Sequence, residues 1–289
     1  MTALTIGDVT VTRVVELDRS SFEIGAMLPE STPERIAAQR DWMGPELLDP
    51  VTGVHKACIQ SYVLRTPWHT VVIDTCVGND KPRNGVPAWY MRRGTYLSDL
   101  AAAGVKPEDV DMVICTHLHV DHVGWNTRLE GGRWVPTFPR ARYVIVREEF
   151  EFWKREGETG REEFGLIDDS VMPVVEAGMA DLVASDHVID DRLRLEPAPG
   201  HTPAHVCVRL TTPAGQAIFT GDMMHRPIQV AEPEWNSRFC DDAELARKTR
   251  RGFLERHADA DVIVLAAHFP VAGRIVAPGG RTRFQPLAA

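Results

Sequence analysis

Apolar and polar residues alternate over 9–16, "VTVTRVVE". Short runs rich in valine and isoleucine recur at 57–64, 70–74, 111–115, 142–146, 182–184, 204–210, 216–220 and 261–266. Runs of this length, β-branched and bounded by turn formers, predict strands. Apolar spacings of three and four predict helices over 33–41, 95–103, 147–155 and 241–257. The second of these should stop at Gly104, with Pro107 opening the next element. The last opens at Asp241 and carries Glu244 three residues on, which suits a capping box. Its Leu245, Thr249 and Phe253 share one helical face. Each half of the chain offers strands first and then a helix, and no linker, internal repeat or low-complexity tract intervenes. The expectation is an α/β protein with one domain over 1–289, built from two strand-plus-helix halves. The irregular stretches 76–94 and 123–141 are long enough to be functional loops.

Composition narrows the classes. With 289 residues, 44% hydrophobic and 25% charged, the chain can bury a substantial core. A net charge of −9 is the wrong sign for tracking a phosphate backbone, so a nucleic-acid partner is not expected. Five cysteines, odd in number and without a C-x-x-C pair, read as free thiols of a reducing compartment. The N-terminus lacks a basic start followed by an apolar block, and no apolar run approaches the roughly 20 residues of a membrane helix. A soluble, cytoplasmic protein without a membrane partner is the expectation.

Chemistry concentrates in "THLHVDH", residues 116–122, which hold three of the chain's 11 histidines and an aspartate directly after an apolar strand. If the chain stays extended there, His117 and His119 project to one side, Asp121 follows, and His122 lies at the turn. Imidazole and carboxylate are the usual ligands of zinc and neighbouring divalent metals. Three further candidates stand at strand ends: His201 in "PGHTPAH", Asp222 in "IFTGDMMH" and His268 in "LAAHFP". Seven ligands exceed one tetrahedral ion and a carboxylate can bridge, so a pair of metals is expected. Asp74, ending the run "VVID", suits either a carboxylate that orients a metal-bound histidine or a turn former at a strand end. His205 reads as structural or as a support for the ligands, and His55, His69, His187 and His257 as surface or core residues. Trp89, Tyr90, Met91, Trp125, Trp153 and Trp235 are candidates for an apolar pocket, and equally for ordinary core.

In order and spacing, "THLHVDH", "GHTPAH", "TGD" and "AAHFP" resemble the metallo-β-lactamase fold of metallohydrolases over about residues 55–270. The resemblance implies a four-layer αββα sandwich with the metals at one edge. It implies that His117, His119 and His201 hold one ion, that Asp121, His122 and His268 hold the other, and that Asp222 bridges them. Zn2+ is the default, with Mn2+, Fe2+ or Co2+ as alternatives. A hydroxide shared by the ions would be the nucleophile, and Asp121 or Asp222 could carry its proton.

The aspartate at 222 and the histidine at 119 disfavour true β-lactamases and the flavoprotein-coupled diiron members. "GDMMHRPIQV" resembles the methyl parathion hydrolase-like branch, with His225 and Gln229 at its offsets, and His225 stands where lactonases carry a tyrosine that handles substrate. The expected activity is hydrolysis of a small apolar ester or lactone, with phosphotriester cleavage as a second use of the same site. A glyoxalase-like thioester hydrolase and a non-catalytic metal-binding protein are the alternatives. The expected partner is a small-molecule substrate, with a homodimer as the expected assembly.

Overall fold

The N-terminal alternation builds the nine-residue strand Val9–Leu17, in which Val9, Val11 and Val14 turn inward. The computed structural model describes residues 3–18, 22–162 and 164–288. They fall into two compact units, one of Met1–Leu17 with Ile59–Ser185, the other of Asp18–Cys58 with Asp186–Ala289.

The first unit holds β1 (Leu4–Ile6), β2 (Val9–Leu17), β3 (Ile59–Arg65), β4 (Thr70–Ile73), β5 (Met112–Ile114), β6 (Thr127–Glu130), β7 (Arg133–Pro136), β8 (Arg142–Val146) and β9 (Ala180–Val183). Its main sheet runs β1-β2-β3-β4-β5-β8-β9, with β6 and β7 paired apart as a hairpin. Pairing is antiparallel from β1 to β4 and parallel from β4 to β9. The parallel connections need crossovers: the helix Tyr96–Ala102 lies between β4 and β5 and the helix Arg147–Glu158 between β8 and β9, while the turn Val120–Val123 and the β6–β7 hairpin lie between β5 and β8. Strands β3 and β8 are buried almost throughout; β8 reads as a continuous apolar run after Arg142, while β3 carries the buried polar pair Gln60 and Ser61.

The second unit holds β10 (Leu193–Pro197), β11 (Val206–Thr212), β12 (Gly215–Phe219), β13 (Val262–Leu265), β14 (Gly273–Val276) and β15 (Arg283–Pro286), adjacent in that order. Only β12 and β13 pair in parallel, and the helix Ala243–His257 lies between them in the chain. Its core gathers Met27, Leu28, Trp235, Phe253, Phe269 and Phe284.

Each expected strand is present to within a few residues, while β1, the β6–β7 hairpin, β10, β14 and β15 were not anticipated. These are short or mixed in polarity, so the apolar runs that mark buried strands are missing. The helix expected over 33–41 breaks into Pro33–Ala37 and a 3-10 turn, Arg40–Trp42. This segment belongs to the second unit, where Gln39 reaches Glu232 at 2.9 Å, Arg35 pairs with the same carboxylate, and Trp42 packs on the core. The last helix starts later than expected. Asp242 is its cap, accepting from the Leu245 N–H at 2.9 Å, so Asp241 and Glu244 form no capping box. Its buried face is Ala246, Arg250, Phe253, Leu254 and His257, while Leu245 and Thr249 are only half-buried. The stripe shifted because Arg250, polar by type, turns inward to serve backbone carbonyls.

Candidate metal centre

In the first unit the sheet releases the chain just before the heptapeptide. Strand β5 ends at Ile114, and the Cys115 N–H makes one more bond, 3.1 Å to the Val144 carbonyl. The chain bends at Thr116 and His117, is extended at His119 (φ −70°, ψ 156°), then enters the helical turn Val120–Val123. The continuous extended run expected through His117 and His119 is therefore interrupted, and Asp121 and His122 ride on a helical turn. The ring centres of His117 and His119 lie 4.7 Å apart, and those of His117 and His122 lie 4.1 Å apart. Asp121 Oδ1 is 3.8 Å from His122 Nε2.

Asp74 supports this cluster from the end of β4. Its carboxylate accepts the Thr116 N–H at 2.8 Å and the Thr116 hydroxyl at 2.8 and 3.1 Å, and its Oδ2 accepts from His122 Nδ1 at 3.0 Å. The Thr116 oxygen in turn lies 3.1 Å from His117 Nδ1 and, having given its proton to Asp74, accepts from that ring. Asp74 has φ +55°, a left-handed conformation that aspartate tolerates better than most residues, and its N–H is tied to the Ile114 carbonyl at 3.0 Å. The turn closes on Gly124, whose N–H meets the Cys76 carbonyl at 2.7 Å. A Cβ there would sit 1.8 Å from the Val77 oxygen, so no other residue fits.

In the second unit the parallel pair β12/β13 sets the geometry. Phe219 lies opposite Leu265, and Asp222 and His268 each stand three residues further on. Asp222 lies 3.0 Å through Oδ1 and 3.1 Å through Oδ2 from His268 Nε2. Its Oδ2 is 3.4 Å from His201 Nε2 and 3.1 Å from His225 Nε2. The donor atoms of Asp222, His225 and His268 all fall within 4.8 Å of one another, an arrangement able to hold a metal ion. His201 follows Gly200, where a Cβ would strike the Ala246 backbone at 2.2 Å, and its carbonyl accepts from Asp241 N–H at 3.0 Å. His205 is a supporting residue: its Nδ1 donates to the Ala198 carbonyl at 3.1 Å and its Nε2 accepts the Asp222 N–H at 3.0 Å.

Ring tautomers follow from these bonds. His268 Nδ1 donates to the Cys58 carbonyl at 2.8 Å, so a neutral ring turns the Nε2 lone pair on Asp222. Two acceptors facing each other at that range need a cation or a proton between them. His117 and His122 are likewise committed at Nδ1, which makes Nε2 their ligand atom. The donor set thus fits divalent cations. His225 differs: burial pushes it down to about 4, against the pull of Asp222, so it is neutral near pH 7. Its Nδ1 has no hydrogen-bond partner among the described residues, and its N–H bonds Gln229 Oε1 at 2.7 Å.

Of the other histidines, His55 and His257 are buried and His187 is exposed. The aromatic candidates separate. Trp125 stacks on Tyr96 at 5.3 Å and donates to Glu16 at 2.7 Å, and Trp89 and Trp235 are buried in core. Tyr90 and Met91 are exposed. Trp153 packs edge-on against His119, with ring centres 5.2 Å apart. Sequence reasoning missed Thr116, Glu149 and the Cys58 carbonyl. A threonine beside a ligand, a glutamate in the first turn of a helix and a backbone oxygen carry no signal of their own. The cysteines are free as expected, with Cys58, Cys76, Cys115 and Cys207 buried.

Known proteins resemble this chain in sequence and in fold. An N-acyl homoserine lactonase of Bacillus cereus is 27% identical over 177 residues, covering 56% of this chain; the match spans 62% of that protein's own length. The crystal structure of hydrolase AbOPH in the beta lactamase superfamily superposes with a TM-score of 0.79 at 22% identity, covering 99% of this chain and 97% of that one. AidC, a dizinc quorum-quenching lactonase in complex with a product, gives 0.73 at 18% identity, covering 100% and 97%. At these identities the superpositions speak for the fold alone. No helix among the described residues is long and apolar enough to cross a membrane. The model of the metallo-beta-lactamase superfamily matches residues 59–268, from the first residue of β3 to the last candidate ligand, and the chain belongs to that superfamily.

Proposed function

We propose that the protein is a dinuclear metal-dependent hydrolase of a small lactone or ester. One observation carries the reading: the Asp222 carboxylate faces the Nε2 atoms of three buried imidazoles at 3.0–3.4 Å, and one of them, His268, turns a lone pair toward it. In this reading His117, His119 and His201 hold one ion, Asp121, His122 and His268 the other, and Asp222 bridges. Divalent ions held so bring the ionisation of water toward neutrality and polarise a carbonyl or phosphoryl oxygen.

The remaining work falls to the chain itself. Asp74 and the Cys58 carbonyl fix the tautomers of His122 and His268, which keeps the ligand atoms basic and aimed. His205 holds the backbone of Asp222 in place. His225, neutral and donating from Nε2 to Asp222, keeps Nδ1 as an acceptor for a proton on the substrate or on the departing alcohol. In the same reading Asp121 or Asp222 moves a proton between water and leaving group. The lactonase relatives support lactone as the first substrate class, and a phosphotriester is the second, since both need the same polarised oxygen.

The test is metal content and turnover on one preparation. We expect two divalent ions per chain and hydrolysis of acyl homoserine lactones or p-nitrophenyl esters, abolished by chelation and restored by Zn2+ or Co2+. Phosphotriester and thioester substrates run alongside rank the finer alternatives. Two bound ions without turnover of any of these would return the protein to a non-catalytic role.

A further inference from the structure

Besides Asp74, a second carboxylate grips the heptapeptide: Glu149, in the first turn of the helix Arg147–Glu158 that follows β8. It is almost wholly buried, at 1% exposure, which is costly for a glutamate unless its oxygens are engaged. Its Oε1 accepts two hydrogen bonds, from the Leu118 N–H at 3.2 Å and from the Trp153 indole N–H at 2.8 Å. Leu118 is the residue between His117 and His119. Trp153, one helical turn beyond Glu149, brings its ring edge-on to His119. A single oxygen therefore fixes both the peptide joining two candidate ligands and the aromatic ring bearing on the second of them.

The sheet order explains why two carboxylates are needed. Strand β5 lies between β4 and β8, and all three run parallel. Beyond Cys115 the chain has left the ladder, so its N–H groups need partners from elsewhere. Asp74, just past β4, takes the Thr116 N–H, and Glu149, just past β8, takes the Leu118 N–H. The two strands flanking β5 thus each send one carboxylate to the segment that β5 releases.

We propose that Glu149 is a positioning residue for the His117/His119 pair, holding the Leu118 peptide and the Trp153 ring so that both imidazoles meet a divalent cation in one geometry. The proposal rests on the metal-centre reading above. Glutamine at 149 keeps an acceptor oxygen of the same shape; leucine keeps the volume and removes the acceptor, stranding a buried N–H and an indole N–H.

Zn2+ titrated against a chromophoric chelator, and the visible absorption of the Co2+ form, read the site without reference to turnover. For Glu149→Leu we expect the ion held by the His117/His119 pair to lose about 10–100-fold in affinity, with a changed Co2+ spectrum. Glu149→Gln should restore most of the affinity and the spectrum. Trp153→Phe, which deletes one donor and leaves the carboxylate, should lose affinity severalfold, and it carries the test if Glu149→Leu does not fold. Unchanged Zn2+ affinity and an unchanged Co2+ spectrum in Trp153→Phe and in a folded Glu149→Leu would overturn the proposal and leave Glu149 a structural residue. Wild-type protein that binds no Zn2+ would instead overturn the metal-centre reading itself.

Discussion

At the scale of single residues, hydrogen-bond partners separate the histidines that sequence could only sort by neighbourhood. The candidate ligands were legible because they crowd one heptapeptide or follow strand ends, His201 and Asp222 beside glycine and His268 after the apolar run 262–267. Their supports were not, since Thr116 and Glu149 are common residue types whose task depends on what lies across the fold. His55 shows the opposite case. It stands alone in the sequence, is buried, and its Nε2 has no hydrogen-bond partner among the described residues. Burial, reinforced by Arg226 and Arg40, lowers it from 6.5 to about 4. Because the folded state resists protonation, the unfolded chain binds more protons between these values, and stability falls as pH drops from 6.5 toward 4. The loss at pH 5 should approach about 2 kcal/mol as an upper figure. Urea unfolding at pH 7 and pH 5, compared between metal-free wild type and His55→Gln, measures it: the variant should lose less stability on acidification by about that amount, the buried His225 keeping its own share. An identical pH dependence in the variant would show that His55 titrates normally.

At the scale of elements, apolar runs located the long strands, and hydropathy misread the places where charge is buried. Residues 76–94 look like a surface loop, yet Lys81 and Arg83 are fully buried and converge on Asp169, Arg83 in two bonds of 2.6 and 2.8 Å. Burial brings Lys81 down to about 7 despite that carboxylate, and its ammonium also meets the face of Trp134 at 3.8 Å. Arg250 does the same for the helix Ala243–His257. Its guanidinium donates to the carbonyls of Met223, Pro233 and Trp235 and to Asn236 Oδ1 at 2.6–3.2 Å. It thereby ties down the segment that leaves Asp222. Burial lowers this arginine to about 10, so it stays charged at neutral pH. Replacing it with leucine strands four acceptors, and we expect a loss of about 3–5 kcal/mol in denaturant unfolding. Lysine should recover little, because a point charge cannot serve four acceptors arranged for a planar fork. Recovery to wild-type stability by lysine would mean that the charge matters and the fork does not.

At the scale of the whole chain, the alternation of strands and helices announced an α/β protein, but linear order concealed which segment joins which unit. Residues 18–58 precede β3 in sequence and belong with β10–β15, because Arg35 and Gln39 end on Glu232 and Ser237 donates to Met27. Such partners lie about 200 residues apart and leave no local pattern. Each unit gathers imidazoles beside carboxylate, and these side chains are buried: His117 and His122 in one, His201, Asp222, His225 and His268 in the other. Desolvating so many ligand groups opposes folding unless a cation compensates. The fold should therefore be markedly more stable with metal than without. At free Zn2+ a thousandfold above the dissociation constant, linkage gives about 4 kcal/mol per site. For a chain of this size each site corresponds to a rise of about 7 °C in the unfolding midpoint, and two sites to about 13 °C. Thermal unfolding before and after exhaustive chelation, at matched ionic strength, measures the difference, and re-addition of Zn2+ should reverse it. Equal midpoints in the two states would mean that the buried histidines are satisfied by the protein alone and that no ion is built into this fold.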